Sequence, residues 1–594
     1  MTTPQVTWNL ADLYSGIDDP KIGRDLDEIE ARARRFAEAY RSKVGGLAPA
    51  EFGTALKEYE AILRAEQFPG AFASLNFAGD TLTPANGALM QQVQERAVAI
   101  HQHLLFFTLE LIEIPDDRFA ALLADPVVAE YRHYLEHERE ARPHRLSEAE
   151  ERILLEKSTT SHEAFSRLFD EIINGSVFSM DVNGERLEMP EPEILARLYS
   201  PDRTVRRAAA DGITAGLQEK SRLYTFITNT LIYDKAVDDR LTHFEHAEAA
   251  RHLADEVDTE TVHTMLDACV AHFDTVARYY RLKREILGLD TLYHYDRYAP
   301  ILEDESAVTW ETAQATVLGA YTDFSPLLGD MVRRFFDERW IDAEVRLGKR
   351  GGAFCAGIAP DWHPYVLTNF LGKKRDVMTL AHELGHGVHD LLASDQHFLE
   401  YYPSLAAAET ASVFGEMLTF NRLLGQVTSP REQLSLLTGK IEDIFATVFR
   451  QTAMYRFEQE VHAARRAQGE LPTEAINAIW QRNVQAMFGD SVEMGEGHQV
   501  WWMYIPHFIH TPFYVYAYAF GQLLVMALYA RYQQDGQAFV PHYLDLLRAG
   551  GSKRPAEIVA TAGIDISQRS FWEGGLRMIG DLVTEAEAVW QQVK

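Results

Sequence analysis

Apolar positions in the first part of the chain recur with helical spacing. Ile22, Leu26, Ile29, Ala33, Phe36 and Tyr40 follow one another at intervals of three and four, which places them on one helix face. Comparable stripes run through residues 52–63, 90–111, 118–138 and 147–155, with charged residues on the opposite faces. Two stretches break this habit. Residues 177–187 alternate around Asn183-Gly184, a pair that supplies the two left-handed positions of a tight hairpin turn. Residues 351–370 carry glycines, prolines and short apolar runs, which predict a strand pair or an extended loop. No fixed repeat period is present, so a solenoid is not expected. The pattern predicts a mainly α protein with a small β element, and the hairpin region at 175–200 is the expected domain boundary.

One segment reads ambiguously. Residues 513–530 run for 18 positions without a charge, the minimum for a membrane span. Tyr514, Tyr516, Tyr518 and Gln522 lie within it, and their polar groups would be stranded in hydrocarbon. A buried helix lining a polar cavity is the expectation, and no membrane association is predicted.

Composition narrows the function classes. The 594 residues carry a net charge of −31, with 46% hydrophobic and 24% charged residues, the balance of a soluble globular protein. So acidic a chain has no basic footprint for nucleic acid or for anionic lipid. Its length exceeds one compact core, so at least two lobes are expected. Two cysteines, Cys269 and Cys355, cannot build a disulfide framework, and a reducing cytoplasm fits them best. The N-terminal segment lacks the basic and apolar regions of a secretory leader.

The chemistry concentrates in one predicted helix, with Asp376 as its expected N-cap. It contains His382-Glu383-Leu384-Gly385-His386. On a helix the two histidines stand one turn apart on one face and can reach a single Zn²⁺. Glu383 is rotated away by about 100°, beside the metal, where it can take a proton. The rest of the helix is apolar at Val377, Leu380, Leu384 and Val388, so these polar groups need partners. A catalytic zinc needs a third protein ligand. His389 lies too far along a straight helix to converge easily, so Glu400, Glu409 and Glu416 are the candidates. Glu409, Ser412 and Glu416 share one face of an otherwise apolar helix containing Val413, Met417 and Phe420. Glu409 is the expected ligand, with Glu416 or His389 supporting the ligands from behind.

Residues 498–518 form a second concentration, HQVWWMYIPHFIHTPFYVYAY. Most of these aromatics read as core. His507 and Tyr514 flank Pro512, which predicts a helix break and places both groups at a helix entrance. Either could donate to a developing oxyanion. Tyr518, Tyr516 and His510 are the candidate substrate contacts on the same segment.

HELGHGVH, AETASVFGE and PHFIHTPFYVYAYAFGQ together, with WNLADLY near the start, resemble the oligoendopeptidase F branch of the thimet-oligopeptidase-like zinc metallopeptidases. The resemblance spans nearly the whole chain. It implies a two-lobed, mainly helical zincin-type fold with a deep central channel. It implies an N-terminal helical lobe at 1–200 and a catalytic domain at 201–594. By position, His382, His386 and Glu409 match the family's zinc ligands, with one zinc per chain, and Glu383 matches its general base. His507 matches the histidine ahead of the Pro-Phe-Tyr run, and Tyr514 and Tyr518 match tyrosines that face the substrate. The 351–370 segment resembles the strand that pairs with the substrate backbone. The implied protein is a cytoplasmic monomer or homodimer that cuts short unfolded peptides internally. Two alternatives stand beside it. A zinc carboxypeptidase would need an arginine for the substrate's terminal carboxylate, with Arg422, Arg450 and Arg456 available. A non-catalytic helical peptide-binding protein would keep the metal for structure alone.

Overall fold

The computed structural model describes residues 6–158, 160–301 and 307–594. The start of the segment read for a secretory leader, residues 1–5, lies outside the described residues. Each of the first three long helices opens on a proline: Pro20–Tyr40, Pro49–Gly79 and Pro84–Ile112. A fixed φ and a missing N–H are tolerated in a first turn, where that N–H has no helical partner. Asp19 caps the first of them by accepting from the Lys21 amide at 2.8 Å. The predicted face is buried at Ile22, Leu26, Ile29, Ala33 and Phe36. Phe36, Phe52, Tyr59 and Phe107 cluster with ring centroids 4.9 to 6.1 Å apart and join these helices.

Local boundaries differ from the periodicity where proline intervenes. The stripe at 118–138 is three short helices, Asp116–Leu122, Pro126–Ala129 and Arg132–Glu140. Pro126 cannot donate to a continuing helix, and Asp125 restarts it by accepting from the Val127 amide at 2.9 Å. Pro69, by contrast, is absorbed inside Pro49–Gly79.

The hairpin forms as expected. β1 (Val177–Val182) pairs antiparallel with β2 (Glu185–Pro190), and Asn183 and Gly184 both take positive φ, 54° and 85°. The 351–370 segment supplies two strands of a three-stranded sheet. β3 (Ile341–Asp342) runs parallel to β5 (Tyr365–Leu367), and β4 (Phe354–Ala356) pairs antiparallel with β5 from the other side. The order β3-β5-β4 leaves β4 at an edge.

The long uncharged segment becomes the helix Tyr516–Asp535, buried along most of its length. Among the described residues no single helix is long and apolar enough to cross a membrane.

The chain divides into two compact units, each assembled from separated segments. The first comprises 1–142, 306–425 and 531–564; the second comprises 143–305, 426–530 and 565–594. These breaks do not follow a linear division at residue 200, and the hairpin lies inside the second unit. The physical reason is sharing of cores by distant segments. Tyr543 stacks on Phe414 at 4.2 Å, meets Phe324 edge-on at 5.4 Å and donates to the Thr410 carbonyl at 3.2 Å.

Candidate metal centre

The motif helix runs Lys374–Leu392. Asp376 is its third residue, not its N-cap as expected. Its carboxylate still closes the helix start, accepting from the Lys373 and Leu371 amides at 2.9 and 2.8 Å. Val377, Leu380, Leu384 and Val388 are buried as the pattern requires.

The second helix of the site is Leu405–Gln426. Two glycines set the packing around it. A Cβ on Gly385 would lie 2.5 Å from the Ala411 carbonyl oxygen and from Ser412 Cα, so only glycine lets the two helices touch there. A Cβ on Gly415 would collide with the Tyr321 hydroxyl, which donates to the Ala381 carbonyl at 2.8 Å.

This close crossing brings the predicted ligands together. His382 Nε2 lies 3.4 Å and His386 Nε2 3.7 Å from Glu409 Oε2. One donor atom from each of the three residues falls within 4.8 Å of the others. Donors held at ~2.0–2.1 Å from a tetrahedral Zn²⁺ stand about 3.4 Å from one another, so the set fits such an ion. Ser412 Oγ donates to Glu409 Oε2 at 2.6 Å and orients that carboxylate. Glu416 Oε1 lies 2.7 Å from His382 Nδ1, and the Ala408 backbone bonds the His386 ring.

Electrostatics in the cluster are conflicted without a cation. Burial pushes Glu383 up to about 7, reinforced by the Glu409 and Glu416 charges and opposed by His382. Burial opposes the charge on His382, but the Glu416 hydrogen bond and neighbouring carboxylates carry it up to about 9. Burial holds His386 neutral. Three carboxylates around two imidazoles are the donor set a divalent cation would neutralise. Glu383 itself is buried and receives a backbone hydrogen bond from Cys355 of β4.

Other candidates lie elsewhere. Glu400 is buried and accepts from the Tyr134 amide at 3.0 Å, apart from the cluster. His389 is buried, held down to about 3 by desolvation, and bonds the Leu547 backbone. Glu416, of the two supporting candidates, is the one bonded to a ligand imidazole. A cavity of about 490 Å³ opens beside His382, Glu383 and His386, with Phe354 of β4, Asp390 and Tyr402 on its walls. Asp390, half-buried and pushed up to about 7 by desolvation, had no signal in the sequence beyond lying one turn past His386.

The 498–518 segment belongs to the second unit. A short helix, His507–His510, ends before Pro512, and the next begins at Tyr516. Between them Phe513 takes φ of 63°, unusual for a bulky residue, and the buried Glu458 accepts its amide at 2.8 Å. His507 Nε2 lies 3.3 Å from the Tyr518 hydroxyl, and the Tyr514 and Tyr518 rings meet edge-on at 5.2 Å. All three are half-buried. Tyr516 is a correction to the sequence reading. Its ring is fully buried and its hydroxyl donates to Asp255 at 2.9 Å, so it offers nothing to a substrate. His510 is exposed and pairs with Asp170 at 2.9 Å.

Residues 196–578 match the family model for peptidase family M3, and residues 110–178 match that for oligopeptidase F. The chain belongs to peptidase family M3. This M3 peptidase is 27% identical over 525 residues to the group B oligopeptidase PepB of Streptococcus agalactiae, covering 87% of this chain and 86% of that one. It is 28% identical to the oligopeptidase PepF of Bacillus subtilis over 82% of this chain and 73% of that one. Among solved structures, one of a peptidase from Chlamydophila abortus matches at a TM-score of 0.90 and 22% identity, covering 98% of each chain. The oligoendopeptidase-F structure from Enterococcus faecium matches the M3 peptidase at 0.72 and 21% identity, covering 96% of this chain and 99% of that one. These two likenesses establish a mainly helical fold.

Proposed function

We propose that this M3 peptidase is a zinc-dependent oligoendopeptidase that cuts short unfolded peptides internally. The observation that carries the reading is the convergence of His382, His386 and Glu409 with Glu383 beside them. Zinc held by those three residues would polarise the scissile carbonyl and acidify a water. Glu383 takes the proton of the attacking water and delivers it to the leaving amine. Its high pKa before a cation binds suits a group that must both accept and return a proton near neutrality. Glu416 holds His382 in the tautomer that leaves Nε2 free for the ion.

β4 lies at the edge of its sheet beside the cavity, where Cys355 already bonds Glu383, so an extended peptide would add through the main-chain groups that remain, which tolerates varied side chains. His507 and Tyr514 are the proposed donors to the oxyanion, and both carry half-buried polar groups suited to that role. The 1–200 segment is read as the family's N-terminal helical part and 201–594 as the catalytic part. Two free thiols, Cys269 and Cys355, suit a reducing cytoplasm.

The test is mass spectrometry of products from a mixed peptide pool, with and without a chelator. Internal cuts that stop on chelation and return with zinc are expected. Stepwise loss of C-terminal residues would make it a carboxypeptidase, and intact peptides with metal bound would make it a binding protein.

A further inference from the structure

Within the second unit, a cavity of about 220 Å³ lies behind His507. Among the described residues two arginines line it, Arg297 and Arg450, and no aspartate or glutamate does. That is unusual in a chain of net charge −31. Arg297 is 9% exposed and has no carboxylate partner among the described residues. Its Nη2 donates to the Tyr298 hydroxyl at 2.8 Å and lies 3.3 Å from His498 Nε2, while its Nε has no hydrogen-bond partner. A buried guanidinium with an idle donor is costly unless an anion completes it. His498 cannot serve, because burial and the Arg297 charge hold it neutral. Two of the neighbouring acids are engaged elsewhere, and a third, Asp443, lines an adjoining cavity. Asp296 is taken by Arg203 and Arg206, and Glu442, in that adjoining cavity, by Lys283 and Tyr279.

Arg450 stands at the mouth. It is exposed, forms no ion pair among the described residues, and its charge is felt by His507. The rest of the wall mixes neutral polar groups, Gln451, Tyr298 and Tyr504 among them, with an apolar stretch of Met454, Val484, Met487 and Trp480. The cavity therefore offers two guanidiniums and an apolar floor, in a space suited to one residue and too small for a peptide.

We propose that this cavity binds a carboxylate that ends an apolar residue, namely the C-terminal carboxylate of a short peptide. Arg297 and Arg450 take the two oxygens, and the last side chain lies against Met454, Val484 and Met487. Arginine suits this role through its planar fork of donors. The identity of the ligand rests on the peptide-hydrolase reading.

Isothermal titration of the zinc-loaded protein tests the site without relying on turnover. The probes are N-acetyl-leucine, N-acetyl-leucinamide and inorganic phosphate. We expect the acid to bind at least tenfold more tightly than the amide. We expect Arg450→Gln to weaken the acid about 10- to 100-fold, the loss of a charge-assisted bond. Arg450 is exposed, so this variant should keep the wild-type melting temperature. Arg297→Lys, which keeps the charge and loses the fork, should also weaken the acid.

Equal binding of acid and amide overturns the proposal. So does acid binding unchanged in Arg450→Gln, which would place the carboxylate elsewhere, the metal included. Phosphate binding as tightly as N-acetyl-leucine, with the same Arg450 dependence, would assign the cavity to a free anion and overturn the peptide terminus. A peptide pool left uncut while these binding results hold would sink the peptidase reading and leave the anion site standing.

Discussion

His382 Nδ1 and Glu416 Oε1 stand 2.7 Å apart, closer than either histidine comes to Glu409. The proton between them fixes the imidazole tautomer and turns Nε2 toward Glu409. Removing that partner should loosen the site without deleting a ligand. Glu416→Ala should weaken zinc binding about 10–100-fold, the range for a group that supports a ligand. Glu409→Ala should cost more, because a ligand itself is gone. Competition with a chelator of known affinity ranks the two variants, and a reversed order would exchange their roles.

Glu383 is the proposed general base and stands outside the His382, His386 and Glu409 cluster. Glu383→Gln should retain zinc and lose about 10³-fold or more in kcat. Metal analysis and turnover on the same sample check it, and near-normal turnover with full zinc would remove Glu383 from the chemistry.

Gly385 is the contact between the two helices that carry the ligands. Gly385→Ala places a methyl 2.5 Å from Ser412 Cα and the Ala411 carbonyl oxygen, so the helices must part. Overpacking of this kind costs about 1–3 kcal/mol. The displacement moves Glu409 and Glu416 together, so zinc affinity should fall along with the melting temperature. Gly425→Ala, with open space around its Cβ, serves as the control and should leave zinc affinity unchanged without lowering the melting temperature.

Glu458 gives a pH signature independent of the metal. It is 1% exposed, and burial pushes its pKa from an ordinary 4.5 up to about 8. Below about pH 4.5 the carboxyl is neutral both folded and unfolded and carries no penalty. Between about 4.5 and 8 the unfolded chain releases the proton and the folded one keeps it, so stability falls as pH rises. Glu458→Gln keeps the acceptor for the Phe513 amide and cannot ionise. It should match the wild type near pH 4.5 and exceed it at pH 9, by on the order of a few kcal/mol. Parallel denaturation curves at the two pH values check this, and an equal difference at both would refute it.

Much of the local structure was legible in the sequence. The stripe from Ile22 to Phe36, the Asn183-Gly184 turn and the one-turn spacing of His382 and His386 each depend on neighbours within a few residues, and periodicity reports neighbours. The break at Pro126 was missed because the apolar spacing runs on through it. Tyr514, Tyr516 and Tyr518 look alike in sequence, yet Tyr516 is sealed against Asp255 while the other two are half-buried. That difference is set by the 249–255 segment, far away in the chain. Gly385 reads as a weak point in a helix until the helix it touches is known. Arg297 and Arg450 are 153 positions apart, and nothing local marks them as a pair.

The interleaving of segments has a consequence for synthesis. The ribosome releases the chain in order, but the first compact unit needs residues 531–564 to finish its core, where Tyr543 stacks on Phe414. The second needs 565–594. Both units therefore stay incomplete until residues 531–594 have emerged, and the Glu409 helix waits more than 100 residues for its Tyr543 support. A nascent peptidase in this state has no finished site with which to cut its neighbours.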